Sequence, residues 1–377
     1  MSGIKNNSCH SEPGAKPGEE SVVRYHDTCG SSRRRLSGGP APSQGAPFLA
    51  SFARKPALSV SKGGALLIGL LSLIATSVAA QTPQDLLATG HVDQALQTLE
   101  QQIGTAPNAE AYNLLCRAHF ELGAWDAGIP ACEKATALAP SNSLYHLWLG
   151  RIYGEKADRA GFLKAAGLAG KVRTEFERAT ELSPSSWEAR TDLAEFYLEA
   201  PGIVGGGKDK ALAQAELIAP LNPAMAHWVR ARVAQKNKDN VAAEKEYRAA
   251  IDASHGGARA WLNLAGFYRH TNRLDEMEQA LRTMETRPVD HPAALVDAAG
   301  MLLRTSRDPE LAIRLARSYI ASPNTVEEAP LFKAHTLLGE LLEKQGDRTA
   351  AAEEFRVALA LAHNFRPAQD GLKRVTH

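Results

Sequence analysis

The chain repeats one pattern of apolar and polar positions, in which a proline follows a helix-like stretch. Val172, Phe176 and Ala179, placed before Pro184, show the order small, bulky, small that recurs at fixed distances. Apolar residues spaced three and four apart lie on one helix face, and proline cannot continue that helix. The pattern therefore predicts a helix before each proline. The same offsets precede Pro107, Pro140, Pro223 and Pro323.

A second pattern precedes the first and predicts a partner helix. It reads Trp261, Leu264, Ala265 and Tyr268 in one copy, and similar sets occupy the other copies. Together the two patterns resemble the tetratricopeptide repeat, W-x2-L-G-x2-Y followed by A-x3-F-x2-A-x4-P, over roughly residues 84–366. The resemblance implies an all-α fold, an α-solenoid of about eight antiparallel helix hairpins that bury a continuous core by stacking.

Two repeats depart from the period of about 34 residues. The third is about ten residues too long, and we expect its insert to lengthen both of its helices. The fourth contains the glycine-rich loop 202–207. We assign residues 81–366 to the solenoid and 367–377 to a C-terminal capping helix and tail.

An apolar run precedes the repeats. Residues 65–80 form a stretch of about 16 apolar or small residues that ends in Val-Ala-Ala before Gln81, which is typical of a secretory signal peptide at 63–80. A membrane anchor is the alternative, although the run is short for a span. Residues 1–62 are either a disordered basic extension or an over-long gene model, with initiation near Val60 favoured. We expect an exported, periplasmic protein of bacterial type without stable membrane insertion after cleavage.

The net charge of the repeat region narrows the range of possible partners. Residues 1–80 carry nine Lys/Arg and four Asp/Glu, whereas residues 81–377 carry 34 and 38, so the repeat region has a net charge of −4. A mildly acidic solenoid argues against a nucleic-acid partner.

Cys116 and Cys132 lie in one repeat, and an antiparallel hairpin would bring them together. They are either joined as a disulfide, as an exported protein permits, or buried as free thiols.

Motifs of catalysis are weak in this chain. Gly202 to Asp209 nearly spells a phosphate-binding loop, but Asp209 replaces the hydroxyl residue and a helix precedes the loop, so a structural loop is favoured. His146 and His335 fall at packing positions of the repeat. Glu327 and Glu328 fall in a loop, where a solvated face is the default. We expect no cofactor, no metal and no enzymatic activity; an enzyme that uses the glycine loop or the insert is a minor alternative.

The resemblance also implies a ligand groove. In the family the first helices line the concave face, with contacts from positions two, five, nine and twelve of the repeat. The family's carboxylate clamp of Lys and Asn is absent at these positions. We expect a non-catalytic scaffold that binds a protein or peptide there; the alternative is an accessory factor for envelope assembly or polysaccharide export that binds a glycan or a membrane complex. The candidate groove residues are Arg151, Glu195, Asn263, Arg269, Lys333 and Glu340.

Overall fold

A computed structural model describes residues 81–377, and this part of the chain is entirely helical apart from its turns and loops. The predicted extension 1–62 and signal peptide 63–80 lie outside the described residues. Within residues 81–377, seventeen α-helices follow one another, and sixteen of them form eight antiparallel hairpins, which confirms the predicted α-solenoid. The helices are α1 Pro83–Ala88, α2 Val92–Thr105, α3 Ala109–Glu121, α4 Trp125–Leu138, α5 Ser143–Asp158, α6 Phe162–Leu182, α7 Trp187–Glu199, α8 Lys208–Ile218, α9 Pro223–Lys236, α10 Asn240–Ala253, α11 Ala258–His270, α12 Leu274–Glu285, α13 Ala293–Thr305, α14 Pro309–Ile320, α15 Leu331–Lys344, α16 Arg348–Leu361 and α17 Arg366–Thr376.

Local sequence signals set many of the helix starts. Side chains of Asn108, Ser186, Asn222 and Asp347 each accept a hydrogen bond from a backbone N–H in the first turn of the helix that follows. Such caps satisfy donors that the helix itself leaves unpaired. The insert in the third repeat lengthens α5 to 16 residues and α6 to 21, as expected from the sequence.

The core is built where a bulky side chain of a second helix meets a small residue of a first helix. Phe176 on α6 is fully buried, and a Cβ atom added to Gly150 on α5 would lie 2.5 Å from its ring. Phe355 on α16 packs in the same way against Gly339 on α15 and Gly371 on α17. The small residue therefore allows close approach of the helices, and the bulky one fills the space between hairpins. The segment predicted to form the cap falls on α17.

The first helices of the hairpins form the inner wall of the solenoid. They contact one another from repeat to repeat, as α3 does with α5, α7 with α9, α9 with α11, and α11 with α13. Within residues 81–377, no two second helices of neighbouring repeats pack together to a similar extent. Because neighbouring elements lie closest on the inside of a curve, the first helices line the concave face, and the six predicted groove residues belong to these helices.

Candidate functional site

The concave wall carries a ladder of buried ion pairs that join the first helices of successive repeats. Arg151 on α5 donates from Nε to Oδ2 of Asp192 on α7 at 2.7 Å, and Arg232 on α9 donates from Nη1 to Oε1 of Glu195 on α7 at 3.0 Å. Asp192 and Glu195 are almost completely buried. Burial raises the pKa of the Glu195 carboxyl to about 7, although Arg232 opposes this rise. The wall is therefore polar, and its ion pairs depend on the charge state of its carboxyl groups.

The ladder continues between the second repeat and the eighth. Arg117 on α3 donates from Nε to Oε1 of Glu327 at 2.7 Å and from Nη2 to Oε2, a bidentate pair that is buried on both sides. Glu121, one turn further along α3, pairs with Lys333 on α15 at 2.7 Å. The expectation of a solvated Glu327 is therefore wrong, because the loop before α15 carries this carboxylate to the wall of a repeat far away in the sequence.

Aromatic rings support the arginines of this wall. The ring of Trp148 on α5 contacts two guanidinium groups, with its centroid 5.2 Å from Cζ of Arg117 and 4.8 Å from Cζ of Arg151. Phe120 meets the same indole edge-on, with centroids 5.3 Å apart. A guanidinium that stacks on an aromatic face is held in orientation while its donors stay free for carboxylates.

A cleft of about 90 Å³ opens on the wall of repeats five to seven. It lies between α9, α11 and α13. Two predicted groove residues, Asn263 and Arg269, line it from α11, and Arg232 links it to Glu195. Trp228, Leu262, Phe267 and Met301 supply apolar surface. The cleft thus joins side chains from three consecutive repeats.

The six predicted groove residues do not form one cluster. Asn263 and Arg269 share the cleft, whereas Arg151 and Glu195 belong to the ion-pair ladder. Lys333 lies at the contact with the second repeat, and Glu340 is half-buried, where burial raises the pKa of its carboxyl despite the opposing charge of Arg374. The sequence prediction did not include Arg117 and Arg232. Both occupy position nine of their repeats, the same position that identified Arg151 and Glu195. Glu327 gave no such signal, because it lies in a loop outside the repeat pattern.

The glycine loop forms part of a different, mostly apolar cavity of about 220 Å³ between α5, α6 and α7. Gly205 has a φ of +102°, and a Cβ atom on Gly206 would lie 1.8 Å from the carbonyl oxygen of Ala200, so the loop requires glycine. Lys208 points elsewhere and donates from Nζ to Oδ1 of Asn237 at 2.5 Å. These contacts account for the loop as a structural turn.

The packing histidines and the cysteines lie inside the hairpins. His146 and His335 make Nδ1 contacts of 2.6 Å with Glu175 and Glu354 on the second helices of their own repeats. The structure joins Cys116 and Cys132 as a disulfide across the seam of α3 and α4, with their Cα atoms 5.2 Å apart. Residues 81–377 contain neither a group of three His, Cys, Asp or Glu side chains arranged to hold a metal nor a helix long and apolar enough to cross a membrane.

Stacked two-helix repeats with a polar inner wall define this part of the chain as a helix-hairpin solenoid. The family model of the tetratricopeptide repeat matches residues 84–155, 228–288 and 298–364, which together make up more than half of the chain. The chain therefore belongs to the tetratricopeptide repeat family. No curated protein matches it.

Several solved structures are similar to the chain. A thermophilic tetratricopeptide repeat protein of Thermus thermophilus is 18% identical with a TM-score of 0.42, over 49% of this chain and 96% of that one. A tetratricopeptide repeat protein from Parabacteroides merdae is 16% identical with a TM-score of 0.36, over 74% and 100%. A chain of the APC/C hetero-tetramer Cut9-Hcn1 is 14% identical with a TM-score of 0.36; the match covers 78% of this chain but only 54% of that chain, about half its length.

Proposed function

We propose that the protein is a non-catalytic scaffold that binds a protein or peptide partner through its concave face. The observation that carries this proposal is the cleft between α9, α11 and α13, where three repeats present guanidinium, amide and aromatic groups along one continuous wall. An extended peptide offers apolar side chains and backbone hydrogen-bonding groups that suit such a mixed surface. Membership of a repeat family whose stacked units create extended binding surfaces supports the same function.

Site-specific cross-linking tests the location of the partner. A photoreactive side chain at Asn263 in the cleft should capture the partner in the native host, whereas the same group at Val241 should not. Val241 is 84% exposed on α10, a second helix, so it is an accessible control on another face. Equal capture at both positions would contradict binding through the concave face. Binding to a glycan array without binding to a peptide library would favour the accessory factor for polysaccharide export.

We further propose that the scaffold acts in the cell envelope after export across the inner membrane. The apolar run 65–80, the preceding Lys62 and the Val-Ala-Ala sequence before Gln81 support this location. The mature protein should then begin at Gln81. N-terminal sequencing of exported protein checks this start, and material that still carries residues before Ala65 would contradict it.

A further inference from the structure

The cavity of about 220 Å³ between α5, α6 and α7 is a second candidate site, and it shares no lining residue with the cleft on the first helices. Two departures from the repeat pattern meet there, because the insert lengthens α5 and α6 and the glycine loop borders the space beside them. Small residues on α6, namely Ala165, Ala166 and Ala169, leave this space unfilled. Ile203 lines the cavity and is 94% exposed, so the cavity reaches solvent at the glycine loop.

The cavity is apolar except for two carboxylates. Its charged lining residues are Asp158, the last residue of α5, and Glu199, the last residue of α7. Among the described residues, the lining contains no lysine, arginine or histidine. Two helix C-termini thus end at the cavity against one N-terminus, that of α6, and a helix C-terminus carries a partial negative charge. The lining therefore favours a positively charged ligand.

The two carboxylates differ in the partners that they already have. Glu199 is occupied, because Arg232 donates from Nη2 to its Oε1 at 2.7 Å and Lys236 donates from Nζ to its Oε2 at 2.8 Å. Asp158, in contrast, forms no hydrogen bond or ion pair with another side chain of residues 81–377. Asp158 is therefore the carboxylate of this cavity that can receive a ligand.

The surroundings of Asp158 disfavour its negative charge. Partial burial raises the pKa of its carboxyl to about 6, and repulsion by Glu155 and Glu199 adds to this rise, whereas Arg159 opposes it. Arg159 is held elsewhere, since its Nη1 donates to Oε2 of Glu155 at 2.6 Å and its Cζ lies 4.1 Å from the ring centroid of Trp125. The Asp158 carboxylate is ionised at neutral pH, and a cation beside it would relieve the repulsion among the three acidic groups.

The volume of the cavity limits the size of the ligand. An apolar cavity of about 150 Å³ holds a benzene ring. The present cavity, of about 220 Å³, therefore suits a single ring or a short alkyl group with a short arm that carries the charge. A primary ammonium group is a compact cation with three donors, and it matches one carboxylate at the edge of an apolar space.

We propose that this cavity binds a small primary amine, with its apolar group between α5, α6 and α7 and its ammonium group on Asp158. The apolar cavity and the unpaired carboxylate in its lining carry this inference. It goes beyond the proposed scaffold function and does not depend on it, because the cavity is separate from the concave cleft.

Titration of the full chain with phenethylamine near neutral pH, followed by ligand-observed NMR, tests the site. Phenethyl alcohol is the uncharged control of the same shape, and phenylacetate carries the opposite charge. Wild type should bind the amine about 5- to 20-fold more tightly than the alcohol, between the effects of an exposed ion pair and of a buried hydrogen bond to a charged group. Phenylacetate should bind more weakly than the alcohol. Asp158→Asn should remove the advantage of the amine and keep the affinity for the alcohol, which also shows that the cavity is intact.

Three further variants complete the test. Ala169→Leu, which fills the cavity from α6, should abolish binding of both the amine and the alcohol. Ala213→Leu, at an exposed residue of α8 outside the lining, should leave both affinities unchanged. Asp370→Asn, whose side chain is 65% exposed on α17, should do the same. The inference would be overturned if wild type bound the amine no better than the alcohol or not at all, or if Asp158→Asn or Ala169→Leu kept the full affinity for the amine.

Discussion

The carboxylate of Glu121 in the second repeat accepts a hydrogen bond from the ammonium group of Lys333 in the eighth, with Oε2 and Nζ 2.7 Å apart across 212 residues of sequence. Glu121 is buried, and burial raises the pKa of its carboxyl to about 7 even though Lys333 opposes the rise. This pair and the Arg117–Glu327 pair link the first part of the solenoid to its last repeat. The stability of that link should therefore depend on pH.

Glu121→Gln should reduce the pH dependence of stability. The pKa of Glu121 rises from about 4.5 in the unfolded chain to about 7 in the folded one, so the folded state binds more protons between these values. The contribution of this group is therefore greatest at low pH and is lost as pH rises through 7. Between pH 5.5 and 8, wild type should lose about 1–2 kcal/mol more unfolding free energy than the variant. Urea unfolding followed by circular dichroism measures this difference.

A matched carboxylate provides the control for this experiment. Glu353 has a side chain that is 67% exposed on α16, and its partner Arg356 lies three residues away. Glu353→Gln should leave the pH dependence of wild type unchanged. If the unfolding free energies of Glu121→Gln and wild type changed equally with pH, the buried carboxyl of Glu121 would not titrate in this range.

Gly150→Ala and Gly170→Ala should have opposite effects on stability. A Cβ atom at Gly150 would lie 2.5 Å from the fully buried ring of Phe176, so we expect a loss of about 1–3 kcal/mol from overpacking. No neighbouring atom lies within 4 Å of a Cβ atom at Gly170, on α6, and alanine favours a helix, so we expect a gain of up to about 1 kcal/mol. Urea unfolding of both variants checks this. Similar gains at the two sites would show that helix propensity, rather than contact with Phe176, decides the effect.

Cys116 and Cys132 should resist alkylation in denatured protein until a reductant is added. Both side chains are fully buried, and their sequence separation of 16 closes a short loop. In the chain-entropy model such a loop stabilises the fold by about 3 kcal/mol, so the double alanine variant should unfold at lower denaturant concentration. Non-reducing peptide mapping of exported protein identifies the bond. Complete alkylation of both residues without reductant would show that they are buried free thiols and not a disulfide.

Lys208→Ala should preserve both the fold and the absence of nucleotide affinity. The ammonium group of Lys208 contacts Asn237 at the surface, and Asp209 beside it would repel a phosphate. Loss of one exposed hydrogen bond should cost well under about 1 kcal/mol. Calorimetric titration with ATP provides the measurement. Binding to wild type that disappears in the variant would identify a phosphate site in the loop.

The helix hairpins could be predicted from the sequence because their causes are local. Spacings of three and four define a buried helix face, and small residues such as Gly150 and Gly339 mark where helices approach closely. The repeat register also located part of the wall of first helices, since position nine of the first helix contains Arg151 and Glu195. The same register would have identified Arg117 and Arg232 had it been applied to the second and fifth repeats.

The sequence by itself determined the repeat fold, the lengthened third hairpin and the face of each first helix that lines the wall. Only the tertiary structure decided which charges on that face meet. The contacts of Arg117 with Glu327 and of Glu121 with Lys333 depend on small rotations that accumulate over several repeats, and no local pattern records their sum.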